Sequence, residues 1–364
     1  MNLEEFINKS IETGSPFVSY RLPDSELPVT FKPFEVIAIE DVASIQDANG
    51  FIIHPFVVSD SFPALFFSGG NQFEGWNFEP SSDFLTNVSP KVDLLSHFPE
   101  LSEAQYNHLV NRLINSCRDG ETEKVVFSRI IQKQLPRGFD YGRFFSTLCK
   151  NYPSAFVYVL NLGNGQTWIG ATPETLLTSL SGKCETMSLA GTLANNLHQE
   201  ETNIEFSNKE LLEQEMVTDY IVKILEESKV QNLTKHKLEV RNAGPVKHLQ
   251  NRFSFDLPSG ESPLNLALRL HPTPAVCGLP PKKSLELIQE TEPHNRAYYS
   301  GFLGPINNKT TTNLFVNLRC MVVIDQKAHI FAGGGITSGS NAGAEWYETN
   351  LKAQTLLRIL EQQI

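Results

Sequence analysis

FAGGGITSGSNAGAEWYETNLK, Phe331 to Lys352, runs from an apolar strand pattern through three glycines and a polar turn into a helix that opens with Glu345 and Glu348. Glycines leave backbone N–H groups open to a small anion, and carboxylates three positions apart on a helix share one face. The combination suits an anionic ligand held beside a divalent cation. Each half also has an ordinary reading, because glycine runs occur in loops and glutamate pairs on solvated faces. The rest of the chain has to decide between them.

A second stretch repeats the carboxylate spacing. From Ser207 the apolar positions Leu211, Leu212, Met216, Val217, Tyr220, Ile221, Ile224 and Leu225 recur with a helical period. Glu210 and Glu213 lie three apart on that helix. Ser207 and Glu210 also fit a capping box, which gives Glu210 a purely structural alternative. Two helices that each offer a carboxylate pair would suit Mg²⁺, a hard cation that takes oxygen ligands and keeps several waters.

Three further residues stand out by their surroundings. Lys124 opens the strand-like KVVFSRIIQKQL, either as a snorkelling edge residue or as an amine turned into a base by burial. Glu174, in the turn ATPE, lies between strand patterns where a carboxylate could be aimed into a cleft. Arg319 reads as mid-strand in TTTNLFVNLRCMVVID, a costly place for a guanidinium without a protein carboxylate or a bound ligand.

The 364 residues, 40% hydrophobic and 20% charged, describe a globular chain able to bury a substantial core. A net charge of −11 with no Lys/Arg cluster argues against nucleic acid as a partner. The five cysteines are widely spaced with no C-x-x-C pair, which disfavours a disulfide framework or a zinc site. The opening MNLEEFINKSIETG has acidic residues where a signal peptide needs basic ones, and no run reaches the length of a membrane span. A cytoplasmic protein away from membranes is expected.

Residues 1 to about 95 read as short strands (FVSYRL, EVIAIED, GFIIHPFVV, PALFFSG) parted by turn residues, with His54 as a core histidine. A helix follows, with Ser102 and Gln105 in capping-box spacing, then a second over YGRFFSTLCKNY and a strand meander from AFVYVLNL to CETMSL. No repeat or linker divides the chain, so one domain over residues 1–364 is expected, with a sheet-rich part to about 118 and the chemistry-bearing motifs from about 119.

Taken together, KVVFSR, GATPETLL, SLAGTLANN, HPTPAVCGLP, YYSGFLG, FVNLRC, FAGGGI and EWYETNLKAQ, in this order over about residues 120 to 364, resemble the chorismate-utilising enzymes. That family includes isochorismate synthases, salicylate synthases and the synthase components of anthranilate and aminodeoxychorismate synthases. The resemblance implies an α+β fold with antiparallel β-sheets packed face to face and surrounded by helices, the active site in the cleft between. It implies Lys124 as the general base that activates water and Glu174 as the general acid on the departing hydroxyl. It implies a Mg²⁺ site from Glu210, Glu213, Glu345 and Glu348, with Glu213 and Glu348 as inner ligands. Gly191, Thr192, His271, Tyr299, Arg319, Gly335 and Lys352 match positions lining the chorismate pocket. Of these, Tyr299, Arg319 and the Gly335 amide would hold the substrate's side-chain carboxylate, and the metal its ring carboxylate. Lys124 is expected to be largely neutral in the complex and Glu174 protonated.

Within the family, the lysine of KVVFSR is similar to the water-using members, whereas anthranilate synthases tend to have glutamine there. Aminodeoxychorismate synthases typically have a lysine in the segment that here reads SLAGT. LAGTLANN looks like the menaquinone-branch isochorismate synthases, while the siderophore branch commonly has arginines after this point. Ala275 and Val276 in HPTPAVCG resemble isochorismate synthases more than the salicylate synthases, which go on to eliminate pyruvate. Chorismate is the expected partner molecule, with no obligatory protein partner.

Overall fold

The computed structural model describes residues 1–45, 47–77, 98–195, 206–307 and 310–363. Two large antiparallel sheets form its centre. The nine-stranded sheet runs, neighbour to neighbour, through Gly278–Leu279, Lys124–Gln134, Lys327–Thr337, Cys320–Ile324, Thr167–Thr172, Phe156–Asn161, Phe17–Arg21, Val29–Lys32 and Asn71–Glu74. The ten-stranded sheet runs through Gln231–Lys235, Val246–Asp256, Lys183–Ala194, Thr175–Leu180, Thr311–Val316, Phe302–Asn307, Asn49–His54, Ala64–Ser68 and Glu35–Ile39, with Glu239–Ala243 also paired to Val246–Asp256.

The sheets pack face to face because their strands carry apolar residues on both sides. Between them, Tyr20, Tyr158 and Trp168 of one sheet meet Phe51, Phe67 and Phe315 of the other. The outer face of the nine-stranded sheet, with Phe17, Val157, Ile169 and Ile330, is covered by helices Leu3–Glu12, Tyr141–Asn151 and Ala342–Glu361. The outer face of the ten-stranded sheet, with Ile52, Leu177 and Leu314, is covered by helices Asn208–Glu227 and Pro263–Leu270. The expected architecture is the observed one. All five cysteines are buried and unpaired.

The four N-terminal strand patterns are strands, and they complete both sheets rather than forming a unit apart: Phe17–Arg21 pairs with Phe156–Asn161, and Asn49–His54 with Phe302–Asn307. The first dozen residues are a helix, Leu3–Glu12, capped by Asn2 with Glu5 reaching back. Both predicted capping boxes, Ser102 with Gln105 and Ser207 with Glu210, are formed.

One expectation is corrected. Arg319 is not mid-strand: Thr311–Val316 ends in the ten-stranded sheet, Cys320–Ile324 begins in the nine-stranded one, and Arg319 sits in the three-residue link with φ of 49°. A left-handed arginine costs backbone energy, so the surrounding structure has to hold it. The link has a second effect. Cys320–Ile324 pairs with Lys327–Thr337 only from Lys327 to Ile330, while Lys124–Gln134 pairs along that strand's whole length. Among the described residues, 331–337 therefore present an edge with no strand partner on this side. A cleft opens there between the sheets.

Candidate active site

The glycine run of Phe331–Lys352 lies on that open edge, at a small cavity that is partly open to solvent. Lys352 Nζ donates to the Gly333 carbonyl at 3.0 Å, so Gly333 turns its backbone groups outward. Strand alternation then turns the Gly335 N–H to the same edge. Glu174, Thr192, Glu213, Tyr299, Arg319, Gly335 and Lys352 all line the cavity. Lys124 lies directly behind Gly335: a Cβ there would fall 2.8 Å from Lys124 Cε and 2.6 Å from Glu213 Oε1. Glycine is required at this position for that close approach, not for its dihedral freedom.

Helix Asn208–Glu227 brings Glu213 to Lys124, with Nζ to Oε1 at 2.8 Å. On helix Ala342–Glu361, Glu348 Oε1 is 2.6 Å from Lys352 Nζ, and Glu345 Oε1 is 2.7 Å from Lys209 Nζ across the two helices. Glu345 and Glu348 approach Gly334, where a Cβ would lie 3.2 Å and 3.7 Å from their oxygens. Three carboxylates from two helices thus flank the Gly334–Gly335 backbone. Each is matched by a lysine.

With this geometry in view, comparison with known proteins is specific. The chorismate binding enzyme family matches residues 78–361. The chain belongs to that family. The isochorismate synthase EntC of Escherichia coli K12 is 28% identical over 262 residues, 71% of this chain and 67% of EntC. Anthranilate synthase component 1 of Streptomyces coelicolor is 31% identical over 268 residues, 71% of this chain and 51% of that protein. The structure of MenF, the menaquinone-specific isochorismate synthase of Escherichia coli, superposes with a TM-score of 0.79 at 19% identity, covering 97% of this chain and 91% of MenF. The fold is shared, and the chain is an enzyme of the chorismate-utilising class. Among the described residues no helix is long and apolar enough to cross a membrane.

Not every expected residue of this chorismate binding enzyme reaches the cavity. Glu210 spends one oxygen on the Ser207 N–H at 2.8 Å and on the Ser207 hydroxyl, so it closes the capping box whose N-cap is Ser207. His271 is packed away from the cavity lining: its Nε2 faces the Phe56 carbonyl at 3.2 Å and its ring meets His54 and Phe302 edge-on. Burial, followed by the neighbouring His54, lowers its pKa to about 3, so it is neutral. Gly191 is a bulge residue at φ of 61°, and a Cβ on it would lie 2.8 Å from the Glu210 carbonyl. It lets the strand meet the start of the carboxylate helix.

His248 lines the cavity and was not singled out from the sequence. Its strand, Val246–Asp256, sets it opposite Thr192 in register. Its Nε2 lies 3.0 Å from Arg319 Nη2 and its Nδ1 3.2 Å from Thr192 Oγ1. Burial, then the charges of Arg319 and Lys352, hold its pKa well below the ordinary value. A neutral ring accepts from Arg319 at Nε2 and donates to Thr192 from Nδ1. The signal available was a histidine on a strand next to the AGT segment.

Charge in the cavity follows burial first. Burial pushes Glu174 from 4.5 up to about 8 against the opposing pull of Lys124, Arg319 and Lys352, so its carboxyl is protonated at neutral pH. Burial alone would raise Glu213 as well, but Lys124 beside it, with Lys352 and Lys209 further off, takes it below its ordinary range. Glu345 is raised by burial and by Glu348, with Lys209 opposing. Arg319 falls to about 10 through burial, with Tyr299 and Glu348 among the groups restoring it. Among the described residues, no three carboxylate, imidazole or thiol groups form a ready cage for an ion. A site of one or two carboxylates completed by water and ligand oxygens needs no such cage.

Proposed function

We propose that this chain is a Mg²⁺-dependent isochorismate synthase, adding water at C2 of chorismate with loss of the C4 hydroxyl, and that it serves menaquinone biosynthesis. The observation that carries the reading is the pair Lys124 and Glu174, both buried, Glu174 lining the cavity and Lys124 close behind Gly335 of the same lining, with Glu174 holding its proton up to about 8. Moving a hydroxyl across the ring needs a base on the incoming water and an acid on the leaving oxygen. Glu174 is in the acid form. Tyr299, Arg319 and the Gly335 N–H are assigned to the substrate's side-chain carboxylate. The Arg319 guanidinium has an Nη1 with no hydrogen-bond partner among the described residues and is steadied through Nη2 by His248.

Glu213 and Glu348 are the assigned inner ligands of Mg²⁺, with Glu345 alongside. Their oxygens fit a hard cation, which when bound supplies charge neutralisation and orientation for the ring carboxylate. Glu210 remains assignable only through its free oxygen. The expected neutral state of Lys124 meets one obstacle: it is buried as anticipated, yet it is ion-paired with Glu213. An ammonium held by a carboxylate is a poor base. The reading therefore requires Glu213 to give up this contact in the loaded enzyme.

Relatives at similar identity include both an isochorismate synthase and an anthranilate synthase, so the product assignment rests on Lys124, Ala275 and Val276, and the pathway on LAGTLANN. Incubation with chorismate and Mg²⁺, resolving isochorismate, salicylate and pyruvate, tests the first. Stoichiometric pyruvate with salicylate overturns it in favour of a salicylate synthase, and ammonia-dependent consumption in favour of an aminating enzyme. Restoration of menaquinone in a strain lacking its isochorismate synthase tests the pathway.

A further inference from the structure

Lys209 has no part in the chemistry proposed above, yet it occupies a telling position. It sits in the first turn of helix Asn208–Glu227 and reaches across to Glu345 on helix Ala342–Glu361, Nζ to Oε1 at 2.7 Å. Its ammonium also lies in the field of Glu213 and Glu348. One cationic group is thus attracted by all three carboxylates assigned to the metal. Glu345 is 2% exposed at its side chain and Lys209 32%. The carboxylate is fixed while the lysine has a route to water.

Without a cation, Glu345 and Glu348 would stand one helical turn apart, with Glu345 buried and the two repelling. Lys352 answers Glu348, and it is also anchored on the Gly333 carbonyl. Lys124 answers Glu213 from a fully buried position. Of the three lysines, Lys209 is the one whose charge can leave without vacating the interior.

We propose that Lys209 is an internal counter-ion of the metal site: it balances Glu345 in the metal-free enzyme, competes with the divalent cation for that carboxylate, and turns to solvent when the cation binds. This rests on the Mg²⁺ reading given above. The alternative is a plain tie between two helices. The two differ in sign, because removing a competitor tightens metal binding, whereas removing a tie loosens the site and weakens it.

The test is calorimetric titration of the substrate-free protein with MgCl₂ alone, comparing wild type, Lys209→Met and Lys209→Arg, with a thermal melt of each at zero and saturating Mg²⁺. Lys209→Met should bind Mg²⁺ about fivefold more tightly than wild type, roughly the scale of one well-placed, partly exposed ion pair. Its melting temperature should be lower than wild type without Mg²⁺ and rise more on saturation. Lys209→Arg should restore the wild-type affinity. Unchanged or weaker binding by Lys209→Met, with wild type still binding, overturns the competition and leaves the metal reading intact. Absence of Mg²⁺ binding in wild type and variants overturns both. If Lys209→Met does not fold, Lys209→Gln gives the same comparison.

Discussion

Glu174→Gln keeps the shape of a protonated carboxyl and removes its titration, which makes the buried acid measurable apart from catalysis. In the unfolded chain Glu174 ionises near 4.5, and in the fold it keeps its proton to about 8. Between those values the folded state binds more protons than the unfolded one. The stability Glu174 contributes is therefore complete below about 4.5 and is lost as pH rises through about 8. At about 1.4 kcal/mol per pH unit the whole gap corresponds to roughly 5 kcal/mol, and the part between about pH 6 and 8 to roughly 3 kcal/mol. Glutamine carries no such dependence. Denaturant unfolding of both proteins at intervals from about pH 6 to 9 should show the variant gaining on wild type by roughly 3 kcal/mol up to pH 8 and then levelling. Other titrating groups cancel in the difference. Over the same range the variant should lose about 100- to 10,000-fold in turnover while still binding chorismate. Wild-type activity should decline as pH passes about 8, where the acid ionises. A stability difference that stays flat from about pH 6 to 9 would refute the burial argument, and retained turnover the acid assignment.

Lys124→Ala should reduce turnover about 100- to 10,000-fold and leave chorismate binding, measured by equilibrium titration, largely intact. Gly335→Ala should fold, because its strand dihedrals suit alanine, yet lose most activity, since the new methyl falls 2.6 Å from Glu213 Oε1 and 2.8 Å from Lys124 Cε; normal turnover would show that the two side chains can be displaced harmlessly. Glu292→Ala should cost about 3–5 kcal/mol in unfolding free energy, because the carboxylate is held by the Ser128 N–H at 2.6 Å and by Arg296 at 2.5 and 2.8 Å, and its loss strands a buried guanidinium.

The layers of this fold are legible because its strands alternate with clear turn residues and helices Glu103–Arg118 and Asn208–Glu227 carry capping boxes and apolar stripes. Ser207 and Glu210 show how far such local signals go: the same S-x-x-E spacing that marked a helix start also accounts for the carboxylate offered as a ligand. Arg319 reads as mid-strand because Asn317 and Arg319 alternate with Leu318 as the residues of one continuous strand would, while the chain changes sheet at Asn317–Arg319. A crossover of three residues is too short to show as a turn cluster. His248 escaped notice for a different reason: its chemistry comes from Thr192, more than fifty residues earlier, and Arg319, about seventy later. The pairing of Glu213 with Lys124 and of Glu345 with Lys209 is likewise a property of two helices meeting at one strand edge, which no local spacing encodes, whereas Glu348 and Lys352 form an i,i+4 pair on one helix.

That pairing bears on how a chain of net charge −11 accepts an anion. With Glu174 protonated, the cavity and the helix ends beside it set four basic groups, Lys124, Lys209, Lys352 and Arg319, against three carboxylates, Glu213, Glu345 and Glu348. The formal local excess is a single positive charge, too little to hold a dicarboxylate firmly in a buried site. A divalent cation that displaces Lys209 to solvent raises the excess to two, and a doubly charged substrate cancels it. On the proposed reading, substrate and metal each supply the charge the other lacks, so each should bind more tightly in the other's presence by the same factor. Glu174 is central to this balance. Were it ionised, the metal-free cavity would be neutral, and the acid needed for the leaving hydroxyl would be lost together with the attraction for its substrate.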